Sequence, residues 1–111
     1  MTTIVIHPEL QNLIPPPTQE ELDQLTANLL VEGCQEDLVL WEGENVLLDG
    51  YNRLRICQEY GLPYTVRTIA LADLTAAKAW ILAHQLGRRN LTPEQTAYLR
   101  GKQGEQAKHQ G

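Results

Sequence analysis

Apolar residues fall in short clusters along the chain, and their spacing switches between strand-like and helix-like. Ile4-Val5-Ile6 is a β-branched run that predicts a first strand, followed by a loop through Pro8 to the stiff Pro15-Pro16-Pro17. Thr18-Gln19-Glu20-Glu21 has the form of a capping box, in which the Thr hydroxyl accepts from an amide while Glu21 reaches back. Leu22, Leu25, Leu29 and Leu30 then recur at helical spacing, and Gly33 supplies the stop. Leu38-Val39-Leu40-Trp41 and Val46-Leu47-Leu48 flank Glu42-Gly43-Glu44 and predict a β-hairpin. A helix is predicted from Tyr51, closed by Gly61 and barred from continuing by Pro63.

Tyr64 to Ile69 alternates like a half-buried strand. A helix over 73–86 follows, with Leu74, Ala77, Trp80, Ile81 and His84 near one stripe and Gly87 at its end. Arg88-Arg89-Asn90-Leu91 reads as a loop, and Thr92, Pro93 and Gln95 stand at the N-cap, N1 and N3 positions of a last helix. From Gly101 onward the chain is polar and is predicted to fray. The order of elements predicts an α/β (α+β) fold: a small mixed sheet with helices, closed by a C-terminal helix. Residues 1–100 form the expected domain and 101–111 a tail.

Composition narrows this picture in three ways. At 111 residues and 42% hydrophobic content the chain is long enough for one packed domain and too apolar for general disorder. No apolar run approaches twenty residues, so no membrane span is expected and a cytoplasmic location is. Cys34 and Cys57 show no metal-ligand spacing and are expected as reduced thiols rather than as a disulfide. The net charge of −5 is divided unevenly: residues 1–49 hold ten acids and no Lys or Arg, residues 50–111 nine bases and four acids. A uniformly basic nucleic-acid surface is excluded, whereas a local basic pocket in the second half is not.

The candidate chemistry sits at strand-to-helix turns. Asp49-Gly50-Tyr51-Asn52-Arg53 joins a predicted strand to a predicted helix. Glycine there permits close backbone approach, and the free amides of residues 51–53 with Arg53 favour phosphate. Asp49 would orient Arg53 or a metal-bound water. The alternative is a plain turn, with Arg53 capping a carbonyl. In the second segment, Arg88 and Arg89 precede the helix that Thr92 caps, where positive charge opposes the helix dipole unless an anion lies between. The alternative is a solvated loop whose arginines pair with the acidic half. Gly33-Cys34-Gln35-Glu36 could bring Gln35 near a base or phosphate, or be only a helix stop. His84 and Gln85 are weak metal candidates, because a lone helical His is more often packed or capping.

These segments, in this order, resemble the N-terminal domain of the ParB family within the ParB/sulfiredoxin superfamily, over about Ile4 to Arg100. Leu30-Val31-Glu32-Gly33-Cys34-Gln35 is similar to the first family box. Gly50-Tyr51-Asn52-Arg53 stands where ParB has G-E-R-R, and His84-Gln85-Leu86-Gly87-Arg88 with Leu91-Thr92-Pro93-Glu94 stands where it has E-N-x-Q-R and L-x-P-x-E. The resemblance implies a domain that binds CTP or another nucleotide through Gln35, Asp49, Gly50, Tyr51, Asn52, Arg53, Arg88, Arg89 and Thr92. It also implies self-association as a homodimer in plasmid or chromosome partition or in transcription, with DNA read by a helix-turn-helix segment that does not occur in this sequence.

Several positions depart from the family pattern. His84-Gln85 replaces the Glu-Asn that binds magnesium in ParB, and neither offers a carboxylate. Asn52 replaces the first arginine of the second box, which removes one phosphate fork. The D-G-x-x-R form is closer to ParB-like proteins of phages, plasmids and mobile elements and to free-serine kinases. A small-molecule kinase or NTP hydrolase is therefore the alternative, with Glu32, Glu36 or Asp49 as base. Sulfiredoxin activity is disfavoured, because Tyr51 stands where the catalytic Cys would be. A nuclease gains no support, since the acids are not grouped as two-metal ligands.

Overall fold

The structure is a computed structural model that describes residues 3–87 and 92–109, with side chains described as far as residue 102. Its elements are α1 (Pro8–Gln11), α2 (Gln19–Glu32), β1 (Leu38–Trp41), β2 (Val46–Asp49), α3 (Tyr51–Tyr60), β3 (Val66–Ile69), α4 (Leu74–Leu86) and α5 (Pro93–His109). The chain divides into two compact units: Met1–Ile6 with Pro17–Ala70, and His7–Pro16 with Leu71–Gly111.

The first unit is built on a three-stranded mixed sheet ordered β2-β1-β3. β1 and β2 form the predicted antiparallel hairpin, with Trp41 opposite Val46 and Val39 opposite Asp49. β3 lies parallel to β1, with Leu38 opposite Val66. Parallel neighbours require a crossover, and α3 supplies it between β2 and β3. Leu38, Leu40, Leu47 and Leu54 form a core cluster against which Ile4 and Tyr51 pack. In β1 and β2 both alternating sets are buried, so the hairpin is apolar on both faces.

Local signals explain the helix limits. The Thr18 hydroxyl accepts from the Glu21 amide at 3.1 Å, and Glu21 Oε1 accepts from the Thr18 amide at 3.2 Å. Gly33 and Gly61 end α2 and α3 with φ of 78° and 67°, values that favour glycine. In the second unit α1 packs on α4 and α4 on α5, around buried Leu10, Leu13, Ala77, Ile81, Leu82 and Leu99. Asp73 caps α4 by accepting from the Ala76 amide at 2.8 Å.

Several expectations are corrected. Ile4-Val5-Ile6 makes only a bridge between Val5 and Val46, because the chain turns at His7-Pro8 into α1, where a loop is predicted. The stripe expected on α2 buries only Leu29. β3 is exposed at Val66, Arg67 and Thr68 rather than half-buried; its period-2 pattern fits a strand, but the strand lies at the sheet edge. α5 continues through Gly101 and Gly104 to His109. Good helix formers among Gln103–Lys108 offset two glycines that each cost about 1 kcal/mol.

Gly50 fixes the turn between β2 and α3. Its φ is 98°, and a Cβ there would lie 2.4 Å from Leu38 Cδ2 and 3.2 Å from Arg53 Nη2. Gly50→Ala therefore combines backbone strain with overpacking and is expected to cost about 2–5 kcal/mol. Urea denaturation should show a large fall in midpoint at constant slope. An unchanged midpoint would contradict this account of the turn.

Candidate functional site

The sheet register brings two of the sequence segments together. Because Val39 pairs with Asp49 in an antiparallel hairpin, the chain entering β1 and the chain leaving β2 lie at the same end of the sheet. Gly33–Glu36 therefore meets Gly50–Arg53. Packing of α2 on α3 holds the same junction from the helical side.

Arg53 is the centre of this junction. Its side chain is only 14% exposed, its Nη1 donates to Glu36 Oε2, and its Nη2 donates to Asp49 Oδ2 at 3.2 Å. The guanidinium folds back over Gly50, whose missing side chain leaves it room. Among the described residues, its buried Nε–H has no hydrogen-bond partner. An unsatisfied buried donor costs about 1–3 kcal/mol, more when charged, so this geometry favours an incoming acceptor.

The backbone adds donors of the same polarity. Gly50 is the N-cap of α3 and provides no side-chain cap, and the first turn carries no acidic residue. The first intrahelical bond runs from the Leu54 amide to the Gly50 carbonyl at 2.8 Å, which leaves the amides of Tyr51, Asn52 and Arg53 at the positive end of the helix. Two carboxylates now balance one guanidinium, so the cluster as it stands is net negative. Its members are unequal, however: the Asp49 side chain is 20% exposed and Glu36 80%. A pair with so exposed a carboxylate contributes about 0–1 kcal/mol, and Glu36 can swing into solvent at little cost.

Gln35 is exposed beside this junction, and Asn52 is half-buried at the start of α3. Tyr51 packs on the core cluster and donates its hydroxyl to the Leu47 carbonyl at 2.6 Å, so only its backbone remains available to a ligand. In the second unit, Thr92 and Gln95 form the expected capping box, with distances of 3.0 and 3.1 Å. His84 is exposed and its ring stacks on Trp80 at 4.7 Å, whereas Gln85 is buried. Among the described residues, no group of three or more His, Cys, Asp or Glu side chains is placed to hold a metal. Arg88 and Arg89, and with them the expected convergence on Arg53, lie outside the described residues.

Sequence reasoning names Glu36 only as a base candidate, and misses it as a partner of Arg53. The signal was its place just before β1, opposite the end of β2. As bases, Glu36 and Asp49 are both engaged by the same guanidinium. Cys34 is half-buried and Cys57 buried, and both are free thiols.

The fold has a known counterpart. A solved structure of a Pnob8-like ParB-N domain superposes with a TM-score of 0.77 over 96% of this chain, at 20% identity. This chain spans 43% of that one. No family model matches the sequence, and comparison with curated proteins gave no match. The chain thus has the fold of a ParB N-terminal domain, a small mixed sheet with helices as the sequence predicts. Among the described residues, no helix is long and apolar enough to cross a membrane.

Tyr51 gives a pH test of the turn. Burial, and then the Asp49 carboxylate, push its hydroxyl well above its ordinary value of 10.0. A raised value in the fold means that this contribution is complete below about pH 10 and is lost as pH rises beyond it. Tyr51→Phe should cost about 0.5–1.5 kcal/mol near neutrality and should make the melting temperature fall less than in the wild type between about pH 9 and pH 11. Parallel declines in the two proteins would contradict the assigned role of this hydroxyl.

Proposed function

We propose that the β2–α3 turn binds the phosphates of a nucleotide, and that the chain is a ParB-type nucleotide-binding module. The observation that carries the reading is Arg53: a guanidinium anchored by Asp49, with a buried unpaired Nε–H beside an α3 N-terminus that lacks a side-chain cap. A phosphate oxygen would satisfy the Nε–H and the first amides of α3 together. In doing so it would displace the exposed Glu36 carboxylate, so Glu36 holds the place of the anion until the ligand arrives. Asp49 stays and keeps the fork aimed.

CTP is the first candidate among nucleotides because of the resemblance of the Gly33–Gln35 and Gly50–Arg53 segments to the ParB boxes. Magnesium would accompany the phosphates; His84 and Gln85 are weak ligands for it, and a site formed largely from phosphate and water oxygens suits it better. The same resemblance supports nucleotide-dependent pairing of two copies and a role in plasmid or chromosome partition or in transcription, with DNA contacted through another segment.

Isothermal titration with CTP, ATP and GTP, with magnesium present, tests the site. At least one nucleotide is expected to bind. Arg53→Lys keeps the charge but lacks the Nε donor and should weaken binding about tenfold to a hundredfold. Glu36→Gln removes the competing carboxylate and should strengthen it about twofold to fivefold. The reading fails if no nucleotide binds, or if Glu36→Gln weakens binding as Arg53→Lys does.

A further inference from the structure

Among the described residues, β3 is the open edge of the first unit's sheet. The opposite edge, at β2, is met by Val5, whose amide donates to the Asn45 carbonyl and whose carbonyl accepts from the Leu47 amide, both at 2.9 Å. On the inner side of β3 the Leu38 amide donates to the Thr65 carbonyl at 2.9 Å, and the Glu42 amide to the Ile69 carbonyl at 2.8 Å. Backbone groups alternate in direction along a strand. Those of Thr65, Arg67 and Ile69 therefore face β1, and those of Val66 and Thr68 face outward. Such an edge is a template for a further strand. Its side chains are open as well: Tyr64 is 36% and Val66 40% exposed, and Arg67 and Thr68 are exposed.

We propose that two copies of this chain pair through β3, antiparallel about a two-fold axis at Val66, and so join their two sheets into one. In this register Val66 exchanges both backbone hydrogen bonds with the partner's Val66, and Thr68 does the same with the partner's Tyr64. The contact is isologous, so each bond and each side-chain pair away from the axis occurs twice. It uses the outward backbone groups and leaves the pairing of β3 with β1 intact.

Charge complementarity selects this occupant and this register. Residues two apart on a strand share a face, so Tyr64, Val66 and Thr68 line one face and Thr65 and Arg67 the other. On the first face Val66 meets its own counterpart, flanked by a Tyr64 on either side, and the exposed apolar surface covers itself. On the second face Arg67 lies opposite the partner's Thr65. The Thr65 hydroxyl donates to the carboxylate of Asp37, which is exposed. Each guanidinium thus comes beside a carboxylate held at the other chain's edge. An axis at Arg67 would instead set two like charges directly opposite, which is destabilising. So short a strand buries little area, and the pair is a weak one in exchange with single chains.

Sedimentation equilibrium of the full chain without nucleotide, from about 10 µM to about 1 mM, is expected to show the mass rising from one chain toward two. Val66→Pro removes an outward amide that β1 does not use and should hold the protein as single chains. Arg67→Glu and Asp37→Arg each make both charge contacts repulsive and should weaken pairing about tenfold. Mixed in equal amounts, these two variants form a heterodimer in which both contacts are attractive again, and the dimer should return. An unfolded variant could not give that recovery. The proposal is overturned if the wild type stays a single chain throughout, or if the mixture is no more dimeric than its components. A dimer left intact by Val66→Pro would overturn it too, by placing the contact on another surface. No ligand at Arg53 enters these measurements, so this pairing and the phosphate-site reading succeed or fail separately.

Discussion

One guanidinium ties the end of β2 to the approach to β1. Arg53 spans from Asp49, at the end of β2, to Glu36, at the approach to β1, and lies across the bare α-carbon of Gly50. Each part depends on another. The hairpin register puts the two carboxylates at one end of the sheet, the glycine gives the guanidinium room, and the strand-to-helix turn aims both the side chain and the amides of α3. A larger residue at position 50 would strike Leu38 in the core as well as Arg53, so the fold and the site rest on the same turn.

The energetic character of the cluster is that of an arginine held by two unequal carboxylates. Three of its properties bear on this: a largely buried charge, a buried donor with no partner among the described residues, and a partner carboxylate standing mostly in water. The first two hold the arginine in position and leave it incompletely satisfied. The third means that the Glu36 pair contributes little, about 0–1 kcal/mol. Asp49, held i,i+4 to Arg53 and largely shielded, acts as the fixed half of the clamp.

Local features of the fold were legible in the sequence because their causes are local. Thr18 with Glu21, Thr92 with Gln95, the glycines at 33 and 61, and the Leu38–Leu48 hairpin are each set by residues within a few positions of one another. What was not legible depends on who lies beside whom. β3 has the alternation of a half-buried strand, yet its place at the edge leaves Val66 40% exposed. Ile4-Val5-Ile6 has strand chemistry but runs beside β2 for a single bridge. At the site, Asp49, Gly50 and Arg53 stood out because a strand-to-helix turn can be read from one segment. Glu36 did not, because only the hairpin register brings it beside the end of β2.

The central claim is that a phosphate oxygen takes the free Nε–H of Arg53. Nitrogen-detected NMR of the arginine Nε–H groups, followed during titration with CTP and magnesium and then with inorganic pyrophosphate, measures this directly. A saturable downfield shift and slowed exchange of the Arg53 Nε proton, with both ligands and at the same place, is the predicted result. An Arg53 Nε–H that stays unmoved while other resonances report binding would contradict it.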